Sequence, residues 1–432
     1  MATYVYRTPG STFTGEKYTF SGWFKRGNLD ARNCMLWASS DGGSADFTEI
    51  EFKADGTLHW GNKPSSGTNM QLVTNRVFKD PAAWYHLVFT WDTTLSAGDR
   101  AKIYVNGVEE TSFSTDSNAG SGETGCSLAT SGVEVDIGKQ TGSTNYYYGE
   151  MSHLHLCIGY AYAASDFGEF DSTSGIWKID ADPSVTHGTN GWFLKMEDRT
   201  NLDLDSSANT YTFTTSGTLT ATYDNPSNNF CTLNPLDNYY YNATYSNGNL
   251  KIATVAANYT WATGTQALTG GKWYFENKVI VGGSGSTENM IGIAPTTTVS
   301  ATAQLGSITN SYSYYGGGGI WYNGSQQVGS MPTYTTGDIV GCAIDLDNNK
   351  IYWHKNGVYI NSGDPTDSAT GTAITAVAST THGFYFPAIG DYGTPGAGTY
   401  APNFGNGYFD TTAVSSANAD DAGIGAMEYD VP

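Results

Sequence analysis

Trp84-Tyr85-His86-Leu87-Val88-Phe89-Thr90-Trp91-Asp92, followed by Lys102-Ile103-Tyr104-Val105-Asn106-Gly107-Val108, decides the fold. In an extended chain Tyr85, Leu87, Phe89 and Trp91 share one face of the first stretch, and Trp84, His86, Val88 and Thr90 share the other. A strand apolar on both faces belongs inside a layered sheet structure. The second stretch meets Asn-Gly, the pair that most readily supplies the two positive φ angles of a type I′ hairpin. The same signals return far along the chain, in Ile339-Val340-Gly341-Cys342-Ala343-Ile344-Asp345 and then Lys350-Ile351-Tyr352-Trp353-His354-Lys355-Asn356-Gly357-Val358. Two β units sharing one hairpin device are expected.

Length and composition agree. The 432 residues suit two domains of about 150–220 residues each. Charged residues make up only 14%, while 53 Gly and 30 Tyr favour turns and half-buried strands, so the expectation is all-β. With 11 Trp and 18 Phe the chain carries more apolar area than a disordered one would. Twenty basic against 41 acidic residues leave a net charge of −21 and no basic run, which argues against nucleic acid and anionic membranes as partners. Cys34, Cys126, Cys157, Cys231 and Cys342 are odd in number and widely spaced, and read as core thiols in a reducing compartment. No secretory leader opens the chain and no run approaches the roughly 18 apolar residues of a membrane span. Asn242-Ala243-Thr244, Asn258-Tyr259-Thr260 and Asn323-Gly324-Ser325 fit the glycosylation pattern, as chance triplets do in a chain rich in Ser, Thr and Asn.

Strands of the first unit, residues 1–222, are expected at 18–26, 34–39, 47–54, 57–60, 84–92, 101–108, 133–138 and 149–159, with a tight Asp55-Gly56 hairpin and one helical turn at 163–170. Residues 223–230 have the composition of a linker, with Pro226 forbidding continued pairing. A second unit, 231–410, places strands at 249–253, 272–281, 290–294, 319–322, 339–345, 350–354, 358–360 and 384–389. The Ala, Asp, Ser and Gly of residues 411–432 predict a loosely held C-terminal tail.

The 84–92 strand, the Ile103-Tyr104-Val105-Asn106-Gly107 hairpin, Asp136-Ile137-Gly138 and Tyr148-Gly149-Glu150-Met151-Ser152-His153-Leu154 together resemble the laminin-G-like, concanavalin A-like lectin/glucanase sandwich. Gly271-Lys272-Trp273-Tyr274-Phe275-Glu276, Ile291-Gly292-Ile293-Ala294, the 337–345 stretch, Tyr385-Phe386-Pro387-Ala388 and Asn403-Phe404-Gly405 stand in the order of a SPRY domain. The tandem resembles structural proteins of bacteriophages, notably marine ones. That resemblance implies a non-enzymatic component of the virion surface, assembled in the host cytoplasm, with other virion proteins and host-surface glycans or proteins as partners. A chain that enters a sandwich at Tyr4 lacks a long shaft, which favours a short fibre, spike or head decoration. Homo-oligomers are expected, because one shallow site binds weakly and many copies compensate.

Four features of the sequence bear on chemistry. Glucanases of the concanavalin type carry Glu-x-Asp-x-x-Glu on one strand, because retaining hydrolysis needs paired carboxylates about 5 Å apart. Here Glu134-Val135-Asp136-Ile137-Gly138-Lys139 ends in lysine, so no catalytic residue is assigned. Hydrolysis remains the alternative if separate strands bring carboxylates together, and a cement protein without a ligand is the other. His153 and His155 would face the same way on a strand, without a third metal ligand nearby. No cofactor is required. The resemblance leaves calcium open, with Asp203, Asp205 and the Asp41-Gly42-Gly43 loop as donors. The best binding signal is aromatic: Tyr146, Tyr147 and Tyr148 before a strand, and Tyr312, Tyr314, Tyr315 and Trp321 around the turn Gly316-Gly317-Gly318-Gly319. Such rings stack on the C–H faces of sugars, and packing at a sandwich edge or a subunit contact is the competing use. Tyr239-Tyr240-Tyr241 forms a third cluster beside the linker, where packing is expected.

Overall fold

Strand Trp84–Asp92 lies where its alternation requires, between strands Lys17–Arg26 and Ala101–Val105 in a six-stranded antiparallel sheet. The computed structural model describes residues 3–40, 42, 46–64, 67–124, 127–237, 243–255, 259–283, 288–297, 302–392 and 397–432. Asp41, Gly43, Cys126, Tyr239-Tyr240-Tyr241, Asn242 and Asn258 lie outside the described residues. The chain divides into two compact units, residues 1–221 with 225–227, and residues 222–224 with 228–432. The fold is all-β, with three single 3-10 turns among the described residues.

In the N-terminal unit the six-stranded sheet faces an eight-stranded sheet ordered from Phe113–Ser117 through Met70–Val77, Thr57–Lys63, Phe47–Phe52, Asn33–Ser39, Val135–Ile137 and Tyr4–Arg7 to Thr214–Ser216. Leu87, Phe89 and Trp91 enter the core between the sheets with Tyr18, Phe20, Trp60 and Trp192. Trp60 meets Phe89 edge-on at 5.5 Å, and Tyr18 stacks on Trp91 at 5.8 Å. Burial of side chains this size contributes roughly 1.5–3 kcal/mol each.

The opposite face of the same strand is also covered. The expected helical turn at 163–170 is one 3-10 turn, Ala164–Asp166, because Gly168–Phe170 then pairs with Trp177–Ile179 as a hairpin. That hairpin lays Trp177 over His86, with the rings stacked at 5.9 Å. Trp177 Nε1 donates to His86 Nδ1 at 3.0 Å, which leaves the imidazole proton on Nε2, 3.0 Å from Ser21 Oγ. Complete burial holds the His86 imidazole down to about 3, so it is neutral.

In the C-terminal unit one sheet runs through Thr244–Ser246, Lys251–Ala253, Thr399–Asn403, Lys272–Val281, Ile339–Asp345, Lys350–Lys355 and Val358–Tyr359. The facing six-stranded sheet runs through Trp261–Thr263, Phe386–Asp391, Asn289–Ala294, Tyr312–Tyr315, Gly319–Tyr322 and Ser325–Val328. Phe275, Val279, Ile291, Tyr314, Trp353 and Tyr400 fill the space between. Trp353 Nε1 ties the sheets by donating to the Ile291 carbonyl at 3.1 Å. Cys34, Cys157, Cys231 and Cys342 are buried free thiols, as the spacing predicted. No described helix is long and apolar enough to cross a membrane.

The tail is not loosely held. Thr412–Ala413 pairs with Tyr408–Phe409, and Ala426 and Met427 are buried. The anchor is Glu276, itself fully buried, whose carboxylate accepts the Glu428 and Tyr429 N–H groups at 2.9 and 2.8 Å and the Tyr274 hydroxyl at 2.9 Å. A composition poor in large apolar groups gave no sign of this, because the attachment is made through backbone N–H groups.

Glu276→Ala would leave those half-buried donors without their acceptor. The expected outcome is a loss of about 3 kcal/mol in a urea melt, with residues 411–432 becoming protease-sensitive first. His86 sets an acid limit on the N-terminal unit. Its folded pKa lies below the unfolded value, so its contribution is complete above pH 6.5 and is lost as pH falls toward 3. Comparing melts of the wild type and His86→Gln should show the gap between them shrinking by roughly 2–3 kcal/mol from pH 6.5 to 4.5.

Candidate functional site

The outer face of the six-stranded sheet in the C-terminal unit carries the most extensive half-exposed aromatic surface among the sites the sequence singled out. Alternation sends Ile291, Ile293, Tyr314, Ile320 and Ile389 into the core, and Met290, Tyr315, Trp321 and Ala388 outward. Register aligns the outward residues in two rows. One reads Trp261, Gly390, Met290, Tyr315, Gly319, and the other Thr263, Ala388, Gly292, Ser313, Trp321, Gln326. Trp261, Met290, Ala388 and Leu305 make a buried floor, with Trp261 Nε1 bound to the Ala303 carbonyl at 3.0 Å.

On that floor stand Tyr315, Trp321 and Tyr392, with Tyr259 against Tyr392, all half-buried. Tyr392 is central, with ring centroids 5.0 Å from Tyr315, 5.6 Å from Trp321 and 5.6 Å from Tyr259. Interplanar angles of 44–59° turn edges and parts of faces outward rather than stacking the rings on each other. Gln326 lies across strand from Trp321 and is exposed. Its amide reaches over Gly319, the cross-strand partner of Tyr315, where a Cβ would stand 2.5 Å from Oε1. The result is an apolar, fixed platform with a polar amide along one edge.

Not every expected aromatic belongs to it. Tyr314 and Tyr315 are neighbours on one strand and so point to opposite faces. Tyr314 is fully buried, its hydroxyl donating to the Pro332 carbonyl, and it cannot stack on a ligand. Tyr312 is likewise a core residue. In the N-terminal unit Tyr147 packs against the core and donates to the Lys25 carbonyl at 3.0 Å. Tyr146 is half-buried in a bridge with Lys139, and of the three only Tyr148 is exposed, at 43%. A single ring is not a platform. Tyr392 and Tyr259 were missed because they come from segments distant in sequence, and the alternation of 386–391 continued one residue further, to Tyr392, was the available signal.

The other candidates resolve individually. Asp136 is buried on the outer face of its sheet, and burial with Glu134 nearby pushes its carboxyl up to about 7. Lys139 lies 4.2 Å over the Tyr4 ring. A bulge in strand Gly149–Ile158 leaves His153 at φ 49° beside Ser152, with Oγ to Nδ1 2.7 Å, whereas His155 pairs with His187 at 3.2 Å. The two histidines therefore have separate partners. Asp205 accepts the N–H groups of Phe193, Ser207 and Tyr211 at 2.8–3.0 Å, and Asp203 accepts the Thr215 hydroxyl at 2.6 Å. Through these bonds Asp205 organises its loop.

Residues 2–157 match the family model of the concanavalin A-like lectin/glucanases superfamily, and residues 272–392 match that of the SPRY domain. Among solved structures the chain is similar to the SPRY domain of human HERC1, at 14% identity over 39% of this chain and 96% of that one, with a TM-score of 0.31. It is also similar to a SAP-like pentraxin from Limulus polyphemus, at 20% identity over 36% of this chain and 70% of that one, with a TM-score of 0.27. No curated protein matches. The chain thus carries a concanavalin A-like, lectin-like domain and a SPRY domain in tandem.

Proposed function

We propose that this protein is a non-enzymatic component of a bacteriophage virion surface, a short fibre, spike or head decoration, that engages host-surface glycans through the Tyr259, Tyr315, Trp321 and Tyr392 platform. The observation that carries the binding role is the platform itself, three half-buried rings on a buried floor with Tyr259 against Tyr392 and the exposed Gln326 across strand from Trp321. Sugars offer alternating C–H faces and hydroxyls, and this surface supplies an aromatic partner for the first and an amide for the second. The acidic tandem and its resemblance to phage structural proteins support the virion role. A shallow site of this kind has modest affinity in one copy, and a particle displaying many copies converts it into avidity.

A glycan-array screen of the full chain, displayed multivalently, tests the reading. Wild type should bind a defined set of glycans, and Trp321→Ala and Tyr392→Ala should each weaken binding about tenfold, the value of one stacking contact near 1.4 kcal/mol. Tyr148→Ala should bind as wild type does. Undiminished binding in both platform variants, or no glycan bound at all, sinks the adhesin reading, the latter in favour of a cement protein. Release of reducing sugar from a bound polysaccharide would replace it with a hydrolase.

A further inference from the structure

Outside the aromatic platform, three side chains meet on the outer face of the eight-stranded sheet in the N-terminal unit. In strand Phe47–Phe52, Ile50 and Phe52 enter the core, so Glu49 and Glu51 point outward. The Asp55-Gly56 turn pairs Glu51 with His59 on strand Thr57–Lys63. His59 Nδ1 lies 3.3 Å from Glu51 Oε1 and 3.8 Å from Glu49 Oε2, and the donor atoms of all three residues fall within 4.8 Å of one another. Glu49 and Glu51 are 7% and 2% exposed. Trp37, opposite Glu49 and stacked on Phe47 at 5.9 Å, walls one side.

Arg32 partly compensates the two carboxylates. Its Nε and Nη2 grip Glu51 at 2.6 and 2.7 Å, and Nη2 also reaches Glu49 Oε1 at 3.0 Å. Among the described residues Glu49 Oε2 accepts no hydrogen bond, and 3.8 Å to His59 is too long for one. It belongs to a residue only 7% exposed and is the Glu49 oxygen nearest His59 Nδ1. One guanidinium faces two carboxylates, and burial with Glu51 adjacent pushes Glu49 up to about 7.

We propose that Glu49, Glu51 and His59 form a site for a divalent transition-metal ion of the zinc type, which displaces Arg32 from its place over the two carboxylates. Donors at about 2.0–2.2 Å from such an ion stand about 3.3–3.6 Å apart at the corners of a tetrahedron. The spacings of 3.3 and 3.8 Å from Nδ1 need only small side-chain adjustment to reach that figure. One imidazole and two carboxylates suit zinc and its neighbours, whereas calcium takes six to eight oxygens. Two hydrogen-bonded strands hold the donors, and the Arg32 side chain, 40% exposed, has solvent to turn into. Three protein donors leave a fourth position for water or a ligand group.

Calorimetric titration of the chelator-treated full chain with ZnCl2, and visible spectroscopy with CoCl2, test the site. Wild type should take up one equivalent, with the intense absorption of four-coordinate cobalt. Arg32→Ala should bind at least tenfold tighter, while Glu49→Gln and His59→Ala, checked by thermal melts as folded, should bind at least tenfold more weakly. The proposal is overturned if neither wild type nor Arg32→Ala takes up the ion. It is equally overturned if folded Glu49→Gln binds as wild type does, since the uptake would then belong to the acidic surface.

Discussion

Each unit depends on an asparagine that locks a hairpin onto the strand before it. Asn106 and Gly107 adopt φ of 47° and 81°, and Asn356 and Gly357 adopt 49° and 83°, so both turns have the positive φ pair that Asn-Gly supplies. Asn106 N–H donates to the His86 carbonyl and its side-chain oxygen accepts the His86 N–H, at 2.9 and 2.8 Å. Asn356 makes the same two bonds with Ile339, both at 2.8 Å. Each asparagine thereby adds a rung to the ladder where the turn begins and sets the register of the strands behind it.

Register has unusual consequences here because the outer faces are built as carefully as the cores. Slipping strand Trp84–Asp92 by one residue would exchange Leu87, Phe89 and Trp91 for His86, Val88 and Thr90. It would take the core set out from between the sheets and bury an imidazole without Trp177 and Ser21. The aromatic platform depends on the same rule, since Tyr315 stands on it and Tyr314 beneath it by alternation alone. So does the juxtaposition of Glu51 with His59, which follows from counting outward from Asp55-Gly56. The glycine that makes room for Gln326 has value only in that register.

Much of this was legible in the residues. Strands Trp84–Asp92, Lys272–Val281, Gly319–Tyr322 and Ile339–Asp345 coincide with the alternating runs, because their periodicity is strong and Gly, Asn or Asp marks their ends. Tyr312–Tyr315, read as a turn cluster, is a strand, since four aromatic or serine residues beside a glycine run look alike in either state. The tail was misjudged for a different reason. Its hold on Glu276 uses backbone donors, which every sequence possesses and none advertises.

Local chemistry determined the all-β class, the two units, their hairpins and the inward face of each long strand, because period-two patterning and turn propensity act within a few residues. Tertiary structure alone decided which outward residues meet. Tyr259 and Tyr392, Arg32 and Glu51, and Glu276 and Tyr429 are separated by many residues and joined by sheet order or by backbone hydrogen bonds. Side-chain type shows that a ring or a carboxylate is available, but only the ordering of strands in space brings two of them within reach.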